Sequence, residues 1–311
     1  MRKTIRLVPP LILLVLLTVS AGSAKASCLE ALQLCSRLII PSLFPFFVLS
    51  AFMTRLGLPQ ILGHIIAPFA SRVYGISPAG ASALVMGFIG GYPAGANYIA
   101  DMEKEGLIDT AEGERLIAFC NNSGPAFIVG VMGTAVFGSV QTGLKLYAVH
   151  IFSALVTGLL FRTRLRPYPL LPHRLDETNT GEALVSSVKQ AVSSILNVCG
   201  FVICFSVLVS MLDIGKLCTF AGAASGLDVG FIRAAVTGFL ELGSGAGAMG
   251  GFDTSPRNLA LAAGMLSWGG LSVHFQTLAV LSGSKIKGTL HLTGRLSSAI
   301  IAFITMFLFS L

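Results

Sequence analysis

The stretch GFIGGYPAGANYIADMEKEG, residues 87–106, passes from an apolar run through Gly90, Gly91, Pro93 and Gly95 into a charged segment. Breaking an apolar helix in its middle is costly wherever water cannot reach the freed backbone, and the rest of the chain says that water cannot. Of the 311 residues, 54% are hydrophobic and only 11% charged. The mean hydropathy is +0.81, far from the composition of ordinary soluble domains. A hydrocarbon core about 30 Å thick takes roughly 20 apolar residues per helical crossing. Apolar runs that suit such crossings lie at 7–24, 39–53, 116–137, 144–161, 195–212, 259–281 and 290–311. The chain therefore reads as an all-α polytopic membrane protein whose first partner is the lipid bilayer.

Charge and cysteine content narrow the class. The excess of 21 Lys+Arg over 14 Asp+Glu, a net charge of +7, reads as loop charge that sets orientation, since cytoplasmic loops are rich in Lys and Arg. Basic patches interleaved with aromatics are absent, so nucleic acid is not expected as a partner. Cys28, Cys35, Cys120, Cys199, Cys204 and Cys218 show no C-x-x-C spacing and lie mostly in apolar segments, where they read as small membrane-helix residues. At the N-terminus, Arg2, Lys3 and Arg6 precede an apolar run, and Ala24-Lys25-Ala26 resembles a small-residue cleavage site. Residues 1–26 are thus a transmembrane helix or a signal-like segment; both readings leave Ser27 outside the cytoplasm.

Working outward from Gly90, the same order of features occurs twice. Each half has a long apolar helix (29–54; 184–212), a short weaker segment (59–74; 215–226), a glycine-broken apolar run (from Gly87; from Gly238), an interrupted helix (from Ala118; from Gly264) and a last span with a histidine near its start (His150; His291). This reads as an internal repeat: 27–161, then a basic linker at 162–183 carrying Arg162, Arg164, Arg166 and Arg174, then 184–311. The segment 76–100 is too long for one crossing and too short for two, so it enters and turns back at Gly90-Gly91-Tyr92-Pro93. Three crossings plus one re-entrant hairpin per repeat is an odd number, so the second copy is expected to be inverted. The N-terminus and linker are then cytoplasmic, Lys285 and Lys287 fall inside as the positive-inside rule asks, and the C-terminus lies outside a bacterial cell membrane. Arg233 and Arg257 fall on the outer side, with Asp228 and Asp253 as nearby partners.

The blocks GGYPAGA (90–96) and CNNSGP (120–125), together with LIIPSLFPFFVLSAFM (38–53) and SWGGLSVHFQ (267–276), resemble the YlbJ family of sporulation integral membrane proteins, which carry the nucleoside recognition (Gate) domain. That domain is shared with concentrative nucleoside transporters and with the membrane part of ferrous iron transporters. The resemblance implies the transport core of the nucleoside transporters as the fold. It does not carry over the substrate, because the Gln/Thr/Glu-rich hairpin tip of those transporters is here Tyr92-Pro93-Ala94, and one fold hosts many functions.

Irregular backbone at membrane depth survives only where protein buries it or water lines it, so the breaks are where a site is expected. Asn121, Asn122 and Ser123 stand before Gly124-Pro125, where the proline removes a helix hydrogen bond. Their oxygens suit a small coupling cation or a polar solute; the plainer alternative is that they re-satisfy the broken backbone. Glu241 lies inside the apolar run 234–251, and an intramembrane carboxylate is costly; it reads as binding a proton, a cation or a solute donor, or as pairing with Arg233. Tyr92, Ser244, Ser267, His274 and Gln276 complete the expected substrate-binding set. Gly90, Gly91, Pro93, Gly124, Pro125, Gly269 and Gly270 are the helix breakers.

His150 and His291 read more simply as hydrogen-bonders between helices. No H-x-x-H or Cys/His cluster points to a metal. The glycine-rich stretches lack the Lys of a phosphate loop, and GSGAG at 243–247 lacks the serine position and strand of a nucleophile elbow. No catalytic residue, cofactor or enzymatic activity is expected. Two functions stay open: a transporter or permease for a small polar solute linked to sporulation, and a non-transporting sporulation scaffold or assembly factor. A homo-oligomer fits either.

Overall fold

A computed structural model of the chain describes residues 7–163, 179–211 and 214–311. The described residues are helical, with no strand among them. Most of the basic linker, including Arg164, Arg166 and Arg174, lies outside them, as do Arg2, Lys3 and Arg6.

Helix α1 (Val8–Val19) is exposed along its whole length and ends at Ser20. Helix α2 (Ala21–Leu34) passes through a π-helical turn, Cys35–Ile39, into α3 (Ile40–Arg55), and the three form one 35-residue span. The wider turn sits next to Pro41, which has no N–H to offer the preceding turn. The long helix therefore starts earlier than residue 29, and the expected boundary between residues 26 and 27 falls inside α2. Helix α4 (Leu58–Tyr74) runs between Gly57 and Gly75, both left-handed, and packs on α5 (Pro78–Ile89). After the turn at residues 90–93 comes α6 (Ala94–Lys104), then α7 (Thr110–Phe119). Residues 120–124 are not α-helical; a π-helical stretch, Ala126–Val136, and α8 (Val140–Leu160) follow.

The second half repeats this order: α9 (Thr180–Met211), α10 (Ile214–Ser225), the pair α11 (Val229–Leu240) and α12 (Leu242–Ala248) joined at Glu241, α13 (Pro256–Trp268), the break at Gly269-Gly270, α14 (Leu271–Leu281) and α15 (Thr289–Ser310). Among the described residues, four spans are long and apolar enough to cross a membrane: 21–55, 140–160, 180–211 and 289–310. The apolar runs 116–137 and 259–281 are instead helices broken in their middle.

The long helices turn their apolar side chains outward. Leu184, Val188, Val192 and Leu196 of α9 are exposed, as are Leu292, Leu296, Ile300 and Phe307 of α15. Asn121, Asn122, His150, Ser153, Ser267 and Arg295 are buried. That distribution suits hydrocarbon outside and hydrogen bonding within. The polar centre lies where α15 packs on α7, α8 and α13, whereas α9 packs on α2 and α3 through apolar residues that include Ala31, Ile39, Leu43, Ile195 and Val202.

Among the described residues, the arginines expected on the outer side do not take the expected partners. Arg257 places its guanidinium 3.8 Å from the centre of the Phe231 ring, a cation–π contact. Asp228 caps α11 by accepting from Phe231 N at 2.8 Å. Asp253 accepts from Ser255 N and from Asn258 Nδ2; hydrogen bonding from Ser255 holds this exposed carboxyl below its ordinary range. Among the described residues neither acid forms an ion pair with Arg233 or Arg257.

Candidate functional site

The first break is built by satisfying the end of α7. A helix leaves its last four carbonyls without intrahelical partners, and here three of them are met by side chains. Leu116 O keeps its helical bond from the cap residue, Cys120 N, at 2.7 Å. Ile117 O lies 3.2 Å from His291 Nδ1, Ala118 O accepts from Arg295 Nη2 at 3.2 Å, and Phe119 O accepts from Asn122 Nδ2 at 2.8 Å. The remaining side chains of CNNSGP tie the break to other elements. Asn121 accepts from Ala96 N at 3.2 Å and donates to Thr277 Oγ1 at 3.0 Å, joining α6 to α14. Ser123 donates to Leu266 O at 2.9 Å. Asn122 Oδ1 takes Arg295 Nη1 at 2.8 Å.

The first hairpin turn rests directly on this break. Gly91, at φ 70°, has its Cα face against Gly124, so that a methyl group added at Gly91 would stand 2.9 Å from the Gly124 backbone. Tyr92 is 9% exposed, with its hydroxyl 3.4 Å from Arg295 Nη1; a cis peptide joins it to Pro93. The second half has the matching contact: the left-handed Gly270 lies against the backbone of Glu241 and Leu242.

Glu241 is the buried acid of the second hairpin. It does not pair with Arg233. Its carboxylate caps α12, taking Gly243 N at 2.9 Å on one oxygen and Ser244 N on the other, which places negative charge at a helix N-terminus, where the dipole favours it. Ser244 Oγ lies 2.9 Å from Ser206 Oγ on α9.

Ser267 and His274 belong to a buried polar line behind the second break. His150 Nδ1 lies 2.9 Å from Ser267 Oγ, and Ser153 Oγ sits 3.4 Å from Ser267 and 3.2 Å from Ser298. Trp268 stacks on Phe239 at 5.0 Å and donates to Phe239 O at 2.9 Å. The His274 ring packs edge-on to Trp268 at 4.3 Å and to His291 at 4.9 Å. Neither His274 nitrogen has a hydrogen-bond partner among the described residues.

A cavity opens between both hairpin turns, with about 650 Å³ of empty space, mouth included. Gly90–Tyr92, Ser123–Ala126 and Glu241–Gly243 form its ends; Ile39, Leu43, Phe47, Val198 and Val202 form its apolar wall, and Gln276 lines it. Of the expected substrate-binding residues, Tyr92, Ser123, Glu241 and Gln276 face this cavity, whereas Asn121, Asn122, Ser267 and His274 do not line it. Of the breakers, Gly90, Gly91, Gly124 and Pro125 line it. Ser244 instead lines a second, polar crevice with Ser27, Glu30, Ser206, Ser210 and Arg233.

Two central residues escape a reading of the sequence. Arg295, fully buried, stands within the apolar run 290–311 and carries the same signal as Glu241, a lone charge in a span. Glu112, also fully buried, accepts from Ser77 N and so ties the start of α5 to the start of α7. Its signal is the spacing Asp109-x-x-Glu112: Asp109 accepts from Glu112 N at 2.7 Å, half of a capping box. Among the described residues no group of acids, cysteines and histidines is placed to hold a metal.

An all-helical core with apolar outer faces, two hairpins and two broken helices meeting at a buried polar centre defines an integral membrane protein of transporter-like fold. Its fold matches a solved structure of CNTnw, a concentrative nucleoside transporter, in an intermediate state: TM-score 0.53 and 18% identity, covering 99% of this chain and 84% of that one. In sequence, the chain is 28% identical over 282 residues to the sporulation integral membrane protein YlbJ of Bacillus subtilis (strain 168), covering 80% of this chain and 68% of that protein. Both comparisons bear out the resemblance read from GGYPAGA and CNNSGP. No family model matches the chain.

Proposed function

We propose that the chain is a permease for a small polar solute, linked to sporulation, working by movement of one helical repeat against an inverted second repeat. The observation that carries this reading is the cavity enclosed by both hairpin turns, the first break and the two long helices. A site between the breaks of discontinuous helices is the recurrent design of secondary transporters. The two halves share one element order, and a second crevice lies beside the second hairpin. The wall is largely apolar, with Tyr92, Ser123, Glu241 and Gln276 as its polar points. It therefore suits a compact, partly apolar solute that offers a donor to Glu241. In this reading the hairpins are re-entrant, the N-terminus and linker are cytoplasmic, the C-terminus is outside, and no chemistry is performed on the solute.

The test is thermal stabilisation of the purified protein in detergent against nucleosides, nucleobases, amino acids and dicarboxylates, since binding raises stability by mass action. A solute that stabilises wild type and not Glu241→Gln supports the reading. Silence across the panel from folded protein moves the weight to a scaffold. One observation favours that second reading: the polar groups of CNNSGP are spent on backbone groups, on Thr277 and on Arg295, as in a purely structural break.

A further inference from the structure

The end of a half-helix at membrane depth is where coupling cations are held in broken-helix transporters, because unwound carbonyls and the negative end of the helix dipole converge there. The end of α7 is such a place, and it is already occupied. Arg295 gives Nη2 to Ala118 O and Nη1 to Asn122 Oδ1. The neighbouring carbonyls Ile117 O and Phe119 O meet His291 and Asn122. Asn121 Oδ1 is taken by Ala96 N. The carbonyls of residues 117–119 and both amide oxygens of the break thus already hold a donor, the guanidinium among them.

The guanidinium needs this place as much as the place needs a cation. Arg295 is fully buried, and among the described residues it forms no ion pair. A buried charge without compensation is strongly unfavourable, and the compensation present is the helix end with the neutral acceptors Asn122 and Tyr92. Gly294 makes the approach feasible: a methyl group there would overlap Ala118 O, so only glycine lets α15 come this close to α7.

We propose that Arg295 is the resident cation of this core: it fills the place an inorganic coupling cation would take, so the protein binds and passes its solute without a monovalent cation gradient. A guanidinium is tethered to its chain, so this cation does not leave during a cycle. The meaning of the proposal rests on the transport reading above, but its test does not, because no solute is needed.

The experiment is to melt the full chain in detergent in NaCl, LiCl, KCl and choline chloride at equal ionic strength. Wild type is expected to melt at one temperature in all four. Arg295→Gln is expected to lose roughly 5 °C in choline chloride, from the lost charge-assisted hydrogen bonds, and to regain part of it in NaCl or LiCl as the freed carbonyls recruit an ion. A wild type stabilised by sodium over choline overturns the proposal. So does an Arg295→Gln variant as stable as wild type, or one lowered equally in all four salts, which would make Arg295 a packing residue only. Should Arg295→Gln not fold, Arg295→Lys keeps the charge without the planar fork; it is expected to fold and to ignore sodium, and sodium-dependent melting there also overturns the proposal.

Discussion

Gly91 and Gly124 meet backbone to backbone, the first at the tip of a hairpin and the second in the break of α7's continuation. The contact leaves no room for a side chain on either residue, and Gly91 holds a left-handed φ of 70°. Replacing Gly91 by alanine adds about 1–2 kcal/mol of backbone strain to a methyl group 2.9 Å from the Gly124 backbone. We expect Gly91→Ala to melt several degrees lower and to lose solute-induced stabilisation, whereas Gly106→Ala, also left-handed but with open space around it, shows the strain alone. Equal melting of the two variants would show that the close approach contributes nothing.

Glu241 has two separable roles, as the cap of α12 and as a wall of the cavity. Glu241→Ala removes both cap bonds and is expected to cost about 1–2 kcal/mol of stability. Glu241→Gln keeps an acceptor for the cap and should retain most of that stability while losing solute binding. Melting curves of the two variants, with and without a stabilising solute, separate the roles.

Ser206 and Ser244 touch at 2.9 Å between the polar crevice and the second hairpin. If the hairpin must part from α9 to admit the solute, joining these positions stops transport. In a background with the native cysteines replaced, Ser206→Cys with Ser244→Cys should form a disulfide under mild oxidation and block uptake, and reductant should restore it. Full uptake by the cross-linked protein would place the moving gate elsewhere.

Glu112 joins the starts of α5 and α7 by accepting Ser77 N. Glu112→Ala leaves a buried backbone N–H without its partner, which costs about 1–3 kcal/mol. Glu112→Gln still offers an oxygen and should fall between wild type and alanine in melting temperature.

The glycine and proline punctuation made the architecture legible. Both breaks and the first hairpin turn are written as Gly90-Gly91-Tyr92-Pro93, Gly124-Pro125 and Gly269-Gly270, residue types whose backbone preferences act locally. Glu241 stood out because everything around it is apolar. Arg295 did not, since His291, Thr293, Ser297 and Ser298 make its stretch look like the rim of a span. What buries it is the fit of Gly294 against Ala118 and a bond to a carbonyl 177 residues away, and no local pattern encodes such a meeting. Glu112 was hidden in the same way, inside a charged segment that reads as a solvated loop. The pairing of Arg233 or Arg257 with Asp228 or Asp253 failed for the opposite reason: proximity along the chain suggested it, while an aromatic ring and helix-cap geometry offered better partners.

Trp268 is the one tryptophan in the chain, and it sits at the last residue before the second break, stacked on Phe239 and edge-on to His274. The protein thus carries its own optical probe beside that break. A rearrangement of residues 269–270 that alters these ring contacts would change the indole emission, so ultraviolet fluorescence of the unlabelled chain reports on the packing around the second break.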